Sequence, residues 1–358
     1  MGRTFGLSRQ VTAGDQLQKP PPAPTVGVQA LPPGSPGRVT AEQVGIADAD
    51  PITFFVIGDH GGVKTPGPQN AVSYAMQRWA GPAPAFVYSV GDWVYFGGDE
   101  AGWDTQVYEA YGHLDVPLVG IPGNHDDQYG GDPPYDPKRG ALDGWMANMC
   151  TPKPEIPPAD PQLEYGRHTQ TEPWCDWTLE LKAATIVGVY TNVPSGGHLE
   201  QAQIDWLGAE LKAARADVPV IVTMHHPPYS VDAHHGGSQT MGTALDSAFN
   251  SSGRWPDLVL AGHVHDFQSF TRKTPGKTLR YLVIGNSGYH NLHQLAHDAK
   301  PGMDLGGGVA LEYGDASEYG FLALTVAGGK ISGEYVGVKP GTMPDGSNAQ
   351  VTPAKYTF

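Results

Sequence analysis

The sequence predicts a layered α/β fold, and three observations carry that prediction. Short runs of β-forming residues recur, several of them continuously apolar, as in strands buried on both faces. Amphipathic helical patterns lie between them. Polar Gly-Asp, Gly-Asn or His blocks follow the runs directly, which sets them at the C-terminal ends of strands, where open α/β sheets hold ligands. With 358 residues, 39% of them hydrophobic, the chain can bury a core as one large domain or two ordinary ones. Only 16% are charged, while 48 Gly and 33 Pro point to long, turn-rich loops.

Residues 1–50 are rich in Pro and Gly and poor in large apolar side chains, and read as an extended N-terminal arm. Order begins with the β-forming run over 52–57, which stops at Gly58-Asp59. A helix is expected over 69–79. The run over 85–90 leads into Gly91-Asp92, and that over 117–121 into Gly123-Asn124-His125. Residues 127–173 lose periodicity and form a loop insertion, placed just after the third block to overhang whatever that block builds. Over 199–214, Ile204, Leu207 and Leu211 stand three and four apart on an amphipathic helix. The run over 218–224 enters His225-His226-Pro227, and that over 257–260 enters Gly262-His263. Further strands are expected over 279–284, 321–326 and 331–338. The main domain then spans 51–340, and 341–358 is a C-terminal tail.

The net charge of −15 and the absence of any Lys/Arg cluster argue against a nucleic-acid partner. A small phosphoester is compatible, because bound cations dominate the local field. No run of 18 apolar residues is present, so no membrane span is expected. No signal-like apolar stretch opens the chain, so a cytoplasmic location is favoured over export. Cys150 and Cys175 lie 25 residues apart, outside any Cys-x-x-Cys unit. Pairing between them stays open, since it also requires an oxidising compartment.

The blocks are Gly58-Asp59-His60-Gly61, Gly91-Asp92-Trp93-Val94-Tyr95, Gly123-Asn124-His125-Asp126, the stretch ending at His225, and Gly262-His263-Val264-His265. They bring Asp59, Asp92, Tyr95, Asn124, His225, His263 and His265, a mixture of oxygen and imidazole donors suited to iron, manganese or zinc. Seven donors are too many for one tetrahedral centre and suit two metals sharing a carboxylate. Such pairs hydrolyse esters by clamping the attacking and leaving oxygens.

This set resembles the metallophosphoesterase (calcineurin-like) superfamily and, within it, the purple acid phosphatases of the small mammalian, tartrate-resistant-like branch. The superfamily usually begins Asp-x-His, whereas Gly61 stands two after Asp59. Tyr95 falls three after Asp92, where purple acid phosphatases carry an iron-binding tyrosinate. The likeness spans 52–338, including Gly262 to Gln268, Tyr281 to Gly288, Leu311-Glu312-Tyr313-Gly314 and Gly320-Phe321, and matches poorly over 127–173.

The resemblance implies a four-layer α/β/β/α sandwich of two mixed β-sheets flanked by helices. It makes Asp59, Tyr95 and His265 ligands of Fe(III), and Asn124, His225 and His263 ligands of a divalent iron, zinc or manganese. Asp92 would bridge them. It further implies hydrolysis of phosphate monoesters by a metal-bound hydroxide, with His125 and one of His234 or His235 serving as proton donor or phosphate contact. Asp126 is expected to orient a histidine. His60 reads either as a phosphate contact or as a loop histidine turned to solvent; His290, His293 and His297 read as exposed loop residues, and Trp93, Trp103, Trp145 and Trp174 as packing. Two rivals are a phosphodiesterase of the same superfamily, acting for example on cyclic nucleotides with two divalent metals, and a metal-binding protein without turnover.

Overall fold

The computed structural model describes residues 31, 34–131, 135–191, 197–274 and 276–358. Residues 1–30 of the expected arm therefore lie outside the described residues. Two mixed sheets form the centre. The first has nine strands: β1 (Gly37–Thr40), β5 (Trp177–Glu180), β6 (Thr185–Val189), β7 (Val220–Met224), β8 (Leu258–Ala261), β10 (Lys277–Ile284), β9 (Phe267–Thr274), β12 (Val309–Asp315) and β11 (Asp304–Gly306), side by side in that order. The second has six: β15 (Gln350–Thr357), β14 (Lys330–Lys339), β13 (Tyr319–Ala327), β2 (Ile52–Ile57), β3 (Val87–Ser89) and β4 (Leu118–Gly120). The strands that end in the polar blocks run parallel within each sheet, with Val56 opposite Tyr88 and Tyr88 opposite Val119, and with Val222 opposite Val259.

Period-two alternation decides the layering. In β2, Phe54 and Val56 face the other sheet and pack in one cluster with Ile186, Ile221, Leu258 and Leu260. Phe55 and Ile57 point outward against Ala71, Val72, Ala75 and Met76 of helix α1 (Gly67–Gln77). The outer face of the nine-stranded sheet packs Val220 and Val222 against Leu207 and Leu211 of α3 (Gln201–Ala213) and Leu245 and Phe249 of α4 (Gln239–Ser252). Each fully buried aliphatic or aromatic side chain contributes about 1.5–3 kcal/mol. The architecture is thus helices, sheet, sheet, helices, the expected four-layer α/β/β/α sandwich. Among the described residues, no helix is long and apolar enough to cross a membrane.

Two boundaries differ from the sequence reading. Within the expected arm, β1 pairs in parallel with β5 and forms an edge of the nine-stranded sheet. Within the expected tail, β15 pairs with β14 at the edge of the other sheet. Edge strands bury few side chains, so their sequences lack the apolar runs that mark the central strands. The 127–173 region also holds structure of its own. Helix α2 (Asp143–Met149) buries Trp145 and Met149 among Trp103, Tyr108 and the outer face of the six-stranded sheet. Both cysteines are free thiols, Cys175 buried and Cys150 half-buried.

Candidate metal centre

The five blocks leave the ends of β2, β3, β4, β7 and β8 and converge. Asp59, Asp92, Tyr95, Asn124, His225, His263 and His265 are each no more than 8% exposed. Sharp turns bring them inward. Asp59, Asp92 and His263 hold φ of +52°, +59° and +68°. Such left-handed backbone costs about 1–3 kcal/mol per residue and clusters at functional sites. At Gly123 a Cβ would lie 2.2 Å from Asp92 Oδ1, so the turn after β4 excludes any side chain.

Asp59, Asp92 and His225 offer ligand atoms within 4.8 Å of one another. His225 Nε2 is 3.3 Å from Asp92 Oδ2, 3.1 Å from Asn124 Oδ1 and 4.0 Å from Asp59 Oδ1. His265 Nε2 is 3.4 Å from Asp59 Oδ1, and the Tyr95 hydroxyl is 3.3 Å from the same oxygen. His263 Nδ1 lies 3.0 Å from Asn124 Oδ1, while its backbone N–H donates to Asp59 Oδ2. One carboxamide oxygen therefore faces two imidazole nitrogens, and one carboxylate oxygen faces an imidazole and a phenol.

The donor chemistry fits cations. His225 Nδ1 is 2.9 Å from the Val90 carbonyl and His265 Nδ1 is 2.9 Å from the Asn291 carbonyl. A carbonyl only accepts, so each Nδ1 carries the proton and each Nε2 turns to the centre, the arrangement common to metal-ligating histidines. Asp92 Oδ2 is buried without a hydrogen-bond partner. Among the described residues no Lys or Arg pairs with Asp59 or Asp92. Buried carboxylates without such partners call for another positive charge. The electrostatics of the protein alone say the same: burial opposes charge on His225, yet Asp92 and Asp59 outweigh it and push the imidazole up to about 9. For Tyr95, burial and then the Asp92 and Asp59 carboxylates raise the phenol well above its ordinary value. Only a strong cation would take its proton.

Gly61 explains how Tyr95 fits. A Cβ at position 61 would lie 2.6 Å from both Gln106 Oε1 and the Trp93 carbonyl, and 2.9 Å from Tyr95 Cδ2. A side chain there would meet Gln106 and the Trp93 backbone first and the Tyr95 ring next, so the turn leaves room only for glycine. Tyr95 is further held by stacking on Tyr289, centroids 4.1 Å apart.

The surrounding histidines divide. His125 packs on Tyr95 and Phe96, centroids 4.6 and 5.4 Å away, and its backbone N–H donates to Asp92 Oδ1. Burial holds its pKa below the ordinary imidazole value. His235 lies against His263 at 4.7 Å, and burial, with His293 and His265 next, lowers it to about 4. His234 is exposed and its ring packs on His293 instead, 5.1 Å away.

Three sequence expectations are corrected. His60 is fully buried, bonds Ser89 Oγ at 3.0 Å and is wedged between Trp93 and Tyr111, a core position in which burial lowers it to about 3. Asp126 orients no ring: its oxygens accept the N–H groups of Asp92, Trp93, Val94 and Gly123 at 2.7–3.0 Å, stapling the β3 turn to the β4 turn. His293 is only 6% exposed, its ring 4.3 Å from that of His265. His290 is half-buried and His297 exposed. His226 bonds Thr191 Oγ1 at 2.6 Å, and the four tryptophans pack in the core. Sequence reasoning passed over Tyr289 and Asp232, whose proximity to the centre arises only from folding of distant loops.

No curated protein matches the sequence. Among solved structures, the fold is similar to GAP50, the anchor in the inner membrane complex of Plasmodium, with TM-score 0.56, 14% identity, and coverage of 87% of this chain and 88% of that one. It is also similar to PhoD, with TM-score 0.52, 13% identity, and coverage of 90% and 70%. The family model for calcineurin-like phosphoesterases matches residues 52–267. That match takes in more than half of the chain and all seven converging side chains, and the chain belongs to the calcineurin-like phosphoesterase family.

Proposed function

We propose that the protein is a phosphomonoesterase of the purple acid phosphatase type, acting on a small-molecule phosphoester with Fe(III) and a divalent iron, zinc or manganese. The observation that carries this reading is Tyr95, whose hydroxyl lies 3.3 Å from Asp59 Oδ1 among the converging donors. A phenolate is a hard anionic donor and favours a trivalent cation. Asp59, Tyr95 and His265 would hold that cation, Asn124, His225 and His263 the divalent one, with Asp92 between them. When bound, the two cations supply Lewis acidity and lower the pKa of water.

The protein's own groups supply orientation and protons. The Val90 and Asn291 carbonyls fix the tautomers of His225 and His265. His125, on the Asp92 side, and His235, on the His263 side, present imidazoles to a phosphoester seated over the centre. Either ring can hydrogen-bond a phosphoryl oxygen or give a proton to the departing alkoxide. His234, turned outward, is left out of this role.

The test compares an aryl phosphate monoester with the matching diester on metal-loaded protein, with His125→Ala alongside. The monoester should be the better substrate by kcat/KM, and His125→Ala should lower that value about 10²-fold with metal content unchanged. A preference for the diester, or full activity in His125→Ala, would contradict the assignment.

A further inference from the structure

One buried carboxylate outside the ligand set organises a second row of histidines. Asp232 is fully buried, and its Oδ2 accepts the backbone N–H groups of His234 at 2.9 Å and His235 at 2.5 Å. The same oxygen lies 3.2 Å from His293 Nδ1, which donates to it from a loop 61 residues further along. The two loops are zipped around this point. Ala233 N–H donates to the Gln294 carbonyl at 2.7 Å, and Ala296 N–H to the Val231 carbonyl at 2.8 Å. His293 is fixed at a second place too, its backbone N–H donating to the His265 carbonyl at 3.0 Å.

The result is a matched pair of rings. His235 lies 4.7 Å from His263, His293 lies 4.3 Å from His265, and His235 and His293 are 5.0 Å apart. Each packs at a tilt of 34° or 31° on one imidazole of the Gly262-His263-Val264-His265 block. Among the described residues, neither ring nitrogen of His235 nor Nε2 of His293 has a hydrogen-bond partner. These nitrogens are therefore open to a ligand that brings its own oxygens.

We infer that Asp232 is a positioning residue that sets His235 and His293 as a paired wall for the phosphoryl group, making His293 a further substrate-contacting residue. This rests on the phosphoester reading above. Holding both rings through one oxygen couples them: loss of that oxygen releases the His235 loop and the His293 ring together. Groups beneath ligand-contacting side chains commonly affect affinity or activity by 10–100-fold. An asparagine keeps an oxygen that can accept the same hydrogen bonds, so the conservative variant separates positioning from charge.

The experiment measures binding of inorganic phosphate to the full chain loaded with metal, together with kcat, KM, metal content and thermal stability. His293→Ala should weaken phosphate binding about 10-fold and raise KM more than it lowers kcat, with metal content unchanged. Asp232→Ala should lose as much as His235→Ala/His293→Ala, and adding it to that double variant should cost nothing more. Asp232→Asn should restore most of the binding. If Asp232→Ala does not fold, Asp232→Asn and His293→Ala decide the matter. Phosphate binding unchanged in His293→Ala, or a further full-sized loss from Asp232→Ala in the double variant, would overturn the inference while leaving the phosphoesterase reading intact. Failure of the unaltered protein to bind phosphate or hydrolyse any phosphoester would overturn both.

Discussion

Asp92→Asn is expected to abolish most hydrolysis and to deplete bound metal while leaving the fold in place. The two carboxylate oxygens have separate duties. Oδ1 accepts the His125 N–H at 2.8 Å, a bond that an asparagine oxygen can reproduce, so the turn after β3 should survive. Oδ2 is buried without a hydrogen-bond partner, 3.3 Å from His225 Nε2. Replacing it with an amide nitrogen removes an anionic donor and puts N–H groups where a cation would be held. Losing one such electrostatic contact costs about 10²–10³-fold in rate, equivalent to about 3–4 kcal/mol. Elemental analysis and kcat/KM on the purified variant check this. Full-rate hydrolysis with unchanged metal content would show that Asp92 does not bridge.

Asp126→Ala should produce the largest loss of stability at the site. Four backbone N–H groups, those of Asp92, Trp93, Val94 and Gly123, converge on this one buried carboxylate. Alanine leaves all four buried donors without their acceptor. A single orphaned donor costs about 1–3 kcal/mol, and partial relaxation should bring the total to about 3–5 kcal/mol. For a domain of this size that lowers Tm by roughly 5–7 °C. The loss should appear in chelator-treated protein as well, because the staple works through backbone and needs no metal. An unchanged Tm in chelator would mean that the two turns hold their shape unaided.

The parts of this molecule that could be read in the sequence are those fixed by local pattern. Central strands such as β2 and β7 are buried on both faces and announce themselves as continuous apolar runs. Tyr95 was legible because its spacing from Asp92 lies within one turn. Helix α4 was passed over although Met241, Ala244, Leu245, Ala248 and Phe249 form a regular buried stripe, so the signal was present. Strand β9, with Thr271, Arg272 and Lys273 in its second half, takes its place from pairing with β10 and β12 and carries no such run. The histidines were harder still. Their number invites a surface-loop reading, but which ones turn inward depends on contacts across the chain. Ser89 draws in His60, and Asp232 draws in His293, over 29 and 61 residues. Asp126 looked like a partner for a ring because it adjoins one; only the packing of two turns shows that backbone amides take its oxygens.

The most direct measurement of the central claim is metal content taken together with the visible absorption spectrum of the oxidised protein, for the unaltered chain and for Tyr95→Phe. About one iron and one divalent metal per chain are expected, with a broad visible charge-transfer band that disappears in Tyr95→Phe while iron is retained. A colourless protein holding two manganese or two zinc ions, with Tyr95→Phe indistinguishable from it, would rule out an iron–tyrosinate centre and leave Tyr95 a packing residue against Tyr289.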